Sequence, residues 1–174
     1  MGINVSIHDR ASLVRSVVVA ANDGITTTFA VVAGSLGASL SPKVVLILGF
    51  ANLFADGLSM ATGAYLGVKS EIEFEEKSGQ NIILGHKPLK NAVDTFISFV
   101  VAGFIPLIAY LFKFNNAFAI SAVSVCLALM VVGALRGRYT NKSIIRTSFE
   151  NLLIGGAAAM VAYFVGSLVD RYLI

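Results

Sequence analysis

Five long runs of apolar residues, separated by short polar or charged segments, dominate the pattern of the chain. A transmembrane helix needs about 20 apolar residues to cross the ~30 Å hydrocarbon core of a bilayer. The five runs reach or approach this length, and none alternates between polar and apolar residues as a barrel strand would. The pattern predicts an all-α integral membrane protein with five transmembrane helices, approximately at residues 16–40, 44–68, 93–113, 116–136 and 147–170.

Composition and charge agree with a membrane protein and indicate its orientation. The chain of 174 residues is 56% hydrophobic and 13% charged, with a mean hydropathy of +0.81, outside the usual range of soluble domains. If the amino terminus is cytoplasmic, only Lys43, Lys113 and Arg171 among the basic residues lie on the outer side. This positive-inside bias predicts an outer carboxyl terminus. The net charge of +3 follows from the topology, and we expect no nucleic-acid partner.

The chain is predicted to form a single five-helix membrane domain over residues 1–174, with one long connection, a cytoplasmic loop at residues 69–91. Four glutamates begin this loop: Glu71, Glu73, Glu75 and Glu76. Charge pairs at i,i+4 spacing, such as Lys69 with Glu73, are typical of a solvated helix end. A mouth that collects cations is the alternative, and the sequence leaves both interpretations open.

Two aspartates lie inside the apolar runs. Asp23 is the only charged residue between Arg15 and Lys43, and Asp56 is the only one in the second span. A carboxylate within a membrane costs several kcal/mol unless it is paired, neutralised or hydrated, so such residues usually mark an ion or proton route. The alternative is a role in helix packing, but no lysine or arginine lies in the middle of any span as a partner.

Small and polar residues share one face of each of the first two spans. The face of Asp23 carries Gly34 and Gly37, and the face of Asp56 carries Asn52, Met60, Gly63 and Gly67. Small residues let helix backbones approach each other closely in lipid. We therefore expect both aspartates to face other helices, and both faces to meet their symmetry mates across the two-fold axis of a dimer.

Helical spacing places Asp23 and Met60 at similar depths. Asp23 lies eight residues from Arg15 and Met60 nine residues from Lys69, about 12 Å from the inner edge. A thioether among carboxylate ligands favours softer first-row ions such as Fe²⁺ over Mg²⁺ or Ca²⁺. Met60 as core filler and Asn52 as an interhelical hydrogen bonder are the alternatives. Glu150, near the inner end of the last span, is either an interfacial residue or a third acidic group beside the pathway.

Short motifs in all five spans resemble the vacuolar iron transporter family. The first contains Asn22-Asp23-Gly24, and the second contains Ser59-Met60-Ala61-Thr62-Gly63. Further similar segments lie at residues 29–34, 64–71, 103–107, 133–138, 151–156 and 162–163. The resemblance runs from about Arg15 to the carboxyl end and keeps the order of the spans.

This resemblance implies a proton-coupled exporter that moves Fe²⁺, and related ions such as Mn²⁺, out of the cytoplasm. It also implies a homodimer with the pathway between the protomers. The family's first-span aspartate falls on Asp23, and its second-span methionine falls on Met60. Where the family often has a glutamate, eight residues before that methionine, this chain has Asn52. We expect Asp56, one turn along the same face, to supply the missing carboxylate.

The chain also departs from the family between the second and third spans. Eukaryotic members carry a glutamate-rich metal-binding domain there, whereas this segment is too short for one. The resemblance is thus to a short member, in which the four glutamates of the loop are candidates for cytoplasmic metal capture.

Alternatives to a proton-coupled exporter remain open. They are a passive or other-cation transporter of the same fold, and a non-transporting assembly or sensor subunit. Motifs of metalloproteases, esterases and phosphate-binding loops do not occur, so we expect no enzyme activity and no prosthetic group. The expected location is the cell membrane of a prokaryote, or a vacuolar-type membrane in a eukaryote.

Overall fold

Six helices form the part of the chain that the computed structural model describes, residues 2–78 and 87–172, with side chains described from residue 14 onward. The helices are α1 (Gly2–Gly37), α2 (Pro42–Lys77), α3 (Pro88–Gly103), α4 (Ile105–Leu111), α5 (Ala117–Tyr139) and α6 (Ile144–Tyr172). Every regular element in these ranges is a helix, which confirms the all-α prediction for them.

Four helices are long and apolar enough to cross a membrane on their own: α1 over Val14–Gly37, α2, α5 and α6. Helices α3 and α4 meet these criteria only as a pair, bent by 44° at Phe104. The count of five therefore holds if the bent pair is one span. The third span differs from the unbroken helix that the sequence predicts at residues 93–113.

Pro106 accounts for the bend. Proline has no backbone N–H, and its ring clashes with the carbonyl of the residue one turn earlier, so a proline inside a span kinks or breaks the helix. Here α3 ends at Gly103 and α4 begins at Ile105, which puts Pro106 in the first turn of the new helix. The Pro106 carbonyl then accepts a hydrogen bond of 2.7 Å from the Ser121 hydroxyl of α5.

The acidic segment is helical, contrary to the loop predicted for residues 69–91. Helix α2 continues without a break to Lys77, so all four glutamates lie on its last turns. No glycine or proline interrupts residues 68–77, and Lys69 pairs with Glu73 at 3.8 Å across one turn, which favours helix. The rest of the predicted loop, residues 79–86, lies outside the described residues.

Glycines set the packing of α1 against α6. A β-carbon at Gly34 would lie 3.2 Å from the carbonyl oxygen of Ala162, and one at Gly37 would lie 3.1 Å from the backbone nitrogen of Ser167. Gly166 of α6 faces Gly34 in turn. The Gly34–Gly37 part of the small-residue face on α1 therefore contacts α6 of the same chain, whereas the sequence predicts a contact with a symmetry mate.

The corresponding glycines of α2 have no close neighbours among the described residues. A β-carbon at Gly63 or Gly67 would meet no atom within 4 Å, and both residues are exposed. They therefore do not pack against another described helix of this chain. Large apolar side chains such as Leu58 and Leu66 are also exposed on α2, at 63% and 53%, as expected where lipid or a second protein surface replaces water.

Candidate functional site

The two intramembrane aspartates lie on adjacent helices, Asp23 on α1 and Asp56 on α2. Each aspartate immediately precedes a glycine that contacts α3. A β-carbon at Gly57 would lie 3.3 Å from the ring of Phe99. Helix α3 thus holds α1 and α2 in register at the level of the two carboxyl groups.

Basic side chains do not balance these charges. Among the residues whose side chains the structure describes, no lysine or arginine forms an ion pair with Asp23 or Asp56. Both aspartates are half-buried. The Thr27 hydroxyl donates to the backbone carbonyl of Asp23 at 2.9 Å, and not to the Asp23 carboxylate. Two neighbouring carboxylates without a basic partner have the chemistry of a cation or proton site.

A cleft of about 400 Å³ opens between α1, α2 and α3. Met60 lines it, as do the two glycines of the open α2 face, whereas Asp23, Asp56 and Asn52 do not. Other polar and charged residues along its wall are Arg15, Ser16, Ser59, Glu71, Asn91 and Thr95. The predicted site residues therefore form two groups, the two aspartates of the spans and a thioether in the cleft.

Asn52 lies one turn beyond Asp56 on α2, farther from the cleft. It is half-buried, and its amide Nδ2 has no hydrogen-bond partner among the described residues. The interpretation of Asn52 as an interhelical hydrogen bonder therefore finds no support from this amide group. Asn52 therefore leaves an amide group with unused hydrogen-bonding capacity one turn from Asp56.

The four glutamates of α2 differ in their surroundings. Only Glu71 lines the cleft, and Glu73 pairs with Lys69 as on an ordinary solvated helix. No group of three or more His, Cys, Asp or Glu side chains among the described residues is arranged to hold a metal ion. Metal capture by these glutamates stays a prediction.

Glu150 of α6 forms ion pairs near the connection between α5 and α6. Its carboxylate lies 3.4 Å from Arg136 and 3.2 Å from Arg146, and Arg136 also donates to the side-chain oxygen of Asn151 at 3.2 Å. Glu150 is not among the residues that line the cleft. Of the two interpretations of Glu150, the structure favours the interfacial one.

Helix α3 contributes two polar residues that the sequence analysis missed. Asn91 and Thr95 lie one turn apart, line the cleft, and each has a buried side-chain oxygen without a hydrogen-bond partner. Thr95 is only 2% exposed. The signal in the sequence is a polar face on the third span, since Asn91, Asp94, Thr95 and Ser98 follow at helical spacing.

Comparison with known proteins identifies relatives of one kind. The profile of the VIT family matches residues 14–82 and 80–167. Vacuolar iron transporter 1 of Arabidopsis thaliana is 26% identical, with 91% of this chain and 87% of the relative covered. The vacuolar iron transporter of Plasmodium falciparum is 24% identical, with 90% and 82% covered. Vacuolar iron transporter homolog 4 of A. thaliana is 29% identical, with 89% and 82% covered.

The alignments with vacuolar iron transporter 1 and with homolog 4 differ in length. The alignment with vacuolar iron transporter 1 extends over 217 positions, more than the 174 residues of this chain, so that relative carries residues without counterparts here. The alignment with homolog 4 needs only 164 positions. The two segments that match the profile meet at residues 80–82, between α2 and α3. The alignment with homolog 4 thus needs fewer unmatched positions than the alignment with vacuolar iron transporter 1.

Proposed function

The chain belongs to the VIT family, and on this premise we propose that it carries Fe²⁺ and related divalent transition metals such as Mn²⁺ out of the cytoplasm. The names of its relatives support iron as a substrate. The observation that carries the proposal is the pair Asp23 and Asp56, two half-buried carboxyl groups on adjacent membrane helices with no basic partner among the described side chains. A cation that enters this region meets the negative charge that its transfer requires.

The order of the groups supports a route. A metal ion from the cytoplasm enters the cleft of α1, α2 and α3, meets the Met60 thioether, and then reaches the carboxylates and Asn52 farther along α2. The combination of sulfur with carboxylate oxygen favours Fe²⁺ and its first-row neighbours over Mg²⁺ and Ca²⁺. The membrane is the cell membrane if the host is a prokaryote, and a vacuolar-type membrane if it is a eukaryote.

The same two carboxyl groups support proton antiport. When no metal is bound, their charge is balanced most simply by protons from the outer side, because no described basic side chain pairs with them. An arriving dication displaces these protons, and its release outward allows protons to bind again. In this scheme Asp56 performs the coupling role of the family glutamate that Asn52 replaces.

A second copy of the chain completes the pathway. Gly63 and Gly67 line the cleft, and both are exposed with no atom of the described residues within 4 Å of a β-carbon. Close approach of two α2 helices across a two-fold axis would cover this face and enclose the route. The dimer contact therefore rests on α2, since the outer glycines of α1 are used against α6.

A passive metal route of the same fold is the second candidate. The observation that favours it is Asn52, an amide at the position where the family often has an acid. An amide does not exchange protons, so transport without proton coupling is expected if Asp56 does not take over that role.

Reconstitution into liposomes tests the proposal. The purified protein is incorporated into vesicles that contain an Fe²⁺ chelator dye, and uptake of Fe²⁺ is followed anaerobically with and without an acidic lumen. We expect uptake to be faster with the acidic lumen and accompanied by alkalinisation of the lumen. Equal uptake with and without the pH gradient favours the passive route. Wild-type vesicles that take up Fe²⁺ no faster than protein-free vesicles would contradict transport altogether.

A further inference from the structure

The Thr95 hydroxyl of α3 is buried without a hydrogen-bond partner among the described residues, as are those of Thr26 and Thr28 on α1. Hydroxyl groups on the helices of this protein commonly donate to the carbonyl one turn earlier, as do those of Thr27, Thr62 and Ser98. Thr95 is 2% exposed, and its hydroxyl has no such bond and no other partner among the described residues. A buried hydroxyl without a partner destabilises the fold, so it calls for a ligand or a functional explanation.

Asn91 repeats this feature one turn earlier on the same face of α3. Its side-chain oxygen is buried and without a partner, and both residues line the cleft that Met60 lines from α2. Asn91, Thr95 and Met60 therefore line one cavity, and the two oxygen atoms of α3 are buried in its wall. The described residues offer no cluster of three acidic, histidine or cysteine side chains, so a cation in this cleft has mainly neutral ligands.

We propose that this cleft is a reception site for the transported metal, in which Asn91 Oδ1 and Thr95 Oγ1 of α3 and the Met60 thioether bind the ion before it reaches Asp23 and Asp56. The inference rests on the proposed function and extends it to α3. Its cavity of about 400 Å³ holds about a dozen water molecules at ~30 Å³ each. A divalent ion thus enters with much of its hydration shell and exchanges water for these ligands.

Neutral ligands suit a site that the ion must leave. Conduction needs binding that is strong enough to draw the ion in and weak enough to release it to the next site. The carboxylate pair farther along the pathway supplies the stronger attraction. Glu71 and Arg15 both line the cleft. Because their charges have opposite signs, the reception site has no large net charge.

Thr95→Val tests the proposal, with Thr28→Val as a matched control. Valine has nearly the shape of threonine without the hydroxyl. Thr28 is also a fully buried threonine of a membrane helix whose hydroxyl has no partner, but it does not line the cleft. Both variants lose an unsatisfied buried hydroxyl, so both should fold with an unchanged or higher Tm.

The two variants should differ in metal binding. We expect Thr95→Val, measured with Fe²⁺ or Co²⁺ on the purified protein by anaerobic calorimetry, to bind about tenfold more weakly, as the loss of a supporting ligand usually costs. In liposomes its KM for Fe²⁺ should rise while kcat stays near wild type. Thr28→Val should match wild type in both measurements. Asn91→Asp adds a charged oxygen to the same wall and should lower the Kd.

The outcomes separate this inference from the proposed function. Wild-type uptake of Fe²⁺ together with unchanged Kd and KM in Thr95→Val and Asn91→Asp overturns the reception site and leaves transport intact. An equal loss of affinity in Thr28→Val also overturns it, because the effect would then be one of packing. Wild-type protein that neither binds nor transports Fe²⁺ overturns both.

Discussion

The backbones of α1 and α3 touch where Gly24 meets Gly103. A β-carbon at Gly103 would lie 2.8 Å from the carbonyl oxygen of Gly24, and one at Gly24 would lie 3.2 Å from the backbone nitrogen of Gly103. Because Gly24 follows Asp23 directly, this contact fixes the depth and direction of the aspartate. It also lies at the carboxyl end of α3, next to the bend at Phe104, so the broken span and the carboxylate site are parts of one arrangement.

Gly24→Ala is expected to destabilise the protein, because the added methyl group would overlap the backbone carbonyl of Phe99. Overpacking of this kind typically costs about 1–3 kcal/mol. Thermal unfolding in detergent measures the effect. Gly63→Ala is the control, because its β-carbon meets none of the described residues and alanine favours helix by about 1 kcal/mol over glycine. A Gly24→Ala protein as stable as Gly63→Ala would contradict the close contact of α1 with α3.

Asp23→Asn should abolish Fe²⁺ transport in liposomes while the protein remains folded. The substitution preserves the size of the side chain but removes the charge that a metal ion requires. Since no described basic side chain pairs with Asp23, its neutralisation leaves no buried cation behind, and the Tm should not fall. Normal transport by Asp23→Asn would sink the role of this carboxylate as a metal ligand.

Met60→Leu should change the choice of metal more than it changes the stability. Leucine and methionine are similar in volume, so the exchange costs less than about 1.5 kcal/mol in a packed environment, but the sulfur is lost. Competition experiments in liposomes should show a larger loss of Fe²⁺ transport than of any residual Mg²⁺ or Ca²⁺ binding. An equal loss for all of these ions would return Met60 to a packing role.

The local features of this molecule were predictable, and its tertiary partners were not. Hydropathy and helical spacing place the apolar spans and put Asp56 and Met60 on one helix, because both signals act within a single segment. They do not tell which neighbour a small-residue face meets, and Gly34 proved to contact α6. The polar face of α3 was visible in the sequence, but the importance of Thr95 depends on a cleft that three helices form together.

Gly63→Leu should weaken a dimer without unfolding the chain. The position is exposed and has open space around it, so a leucine there affects only a partner that approaches α2. Cross-linking and mass measurement in mild detergent check the oligomeric state. Gly34→Leu is the comparison, because its side chain would collide with Ala162 of α6 and should lower the Tm of the chain itself. A Gly63→Leu protein that keeps the wild-type oligomeric state and transport rate argues against a contact at α2.

Asp56→Asn should separate metal transport from proton transport. Asp56 is the second carboxyl group of the proposed pathway, and it lies one helical turn from Asn52 on α2, about 6 Å along the axis. If Asp56 exchanges protons in place of the family glutamate, Asp56→Asn should remove the acceleration of Fe²⁺ uptake by an acidic lumen.

Asn52→Glu in the Asp56→Asn background provides the rescue, because it returns a carboxylate to the position where the family often has one. The Nδ2 of Asn52 has no hydrogen-bond partner among the described residues, so its replacement breaks no observed bond of that amide. We expect the double variant to regain part of the pH-dependent uptake and of the accompanying alkalinisation of the lumen. If Asp56→Asn alone keeps the full pH dependence, Asp56 is a packing residue, and any coupling must run through Asp23.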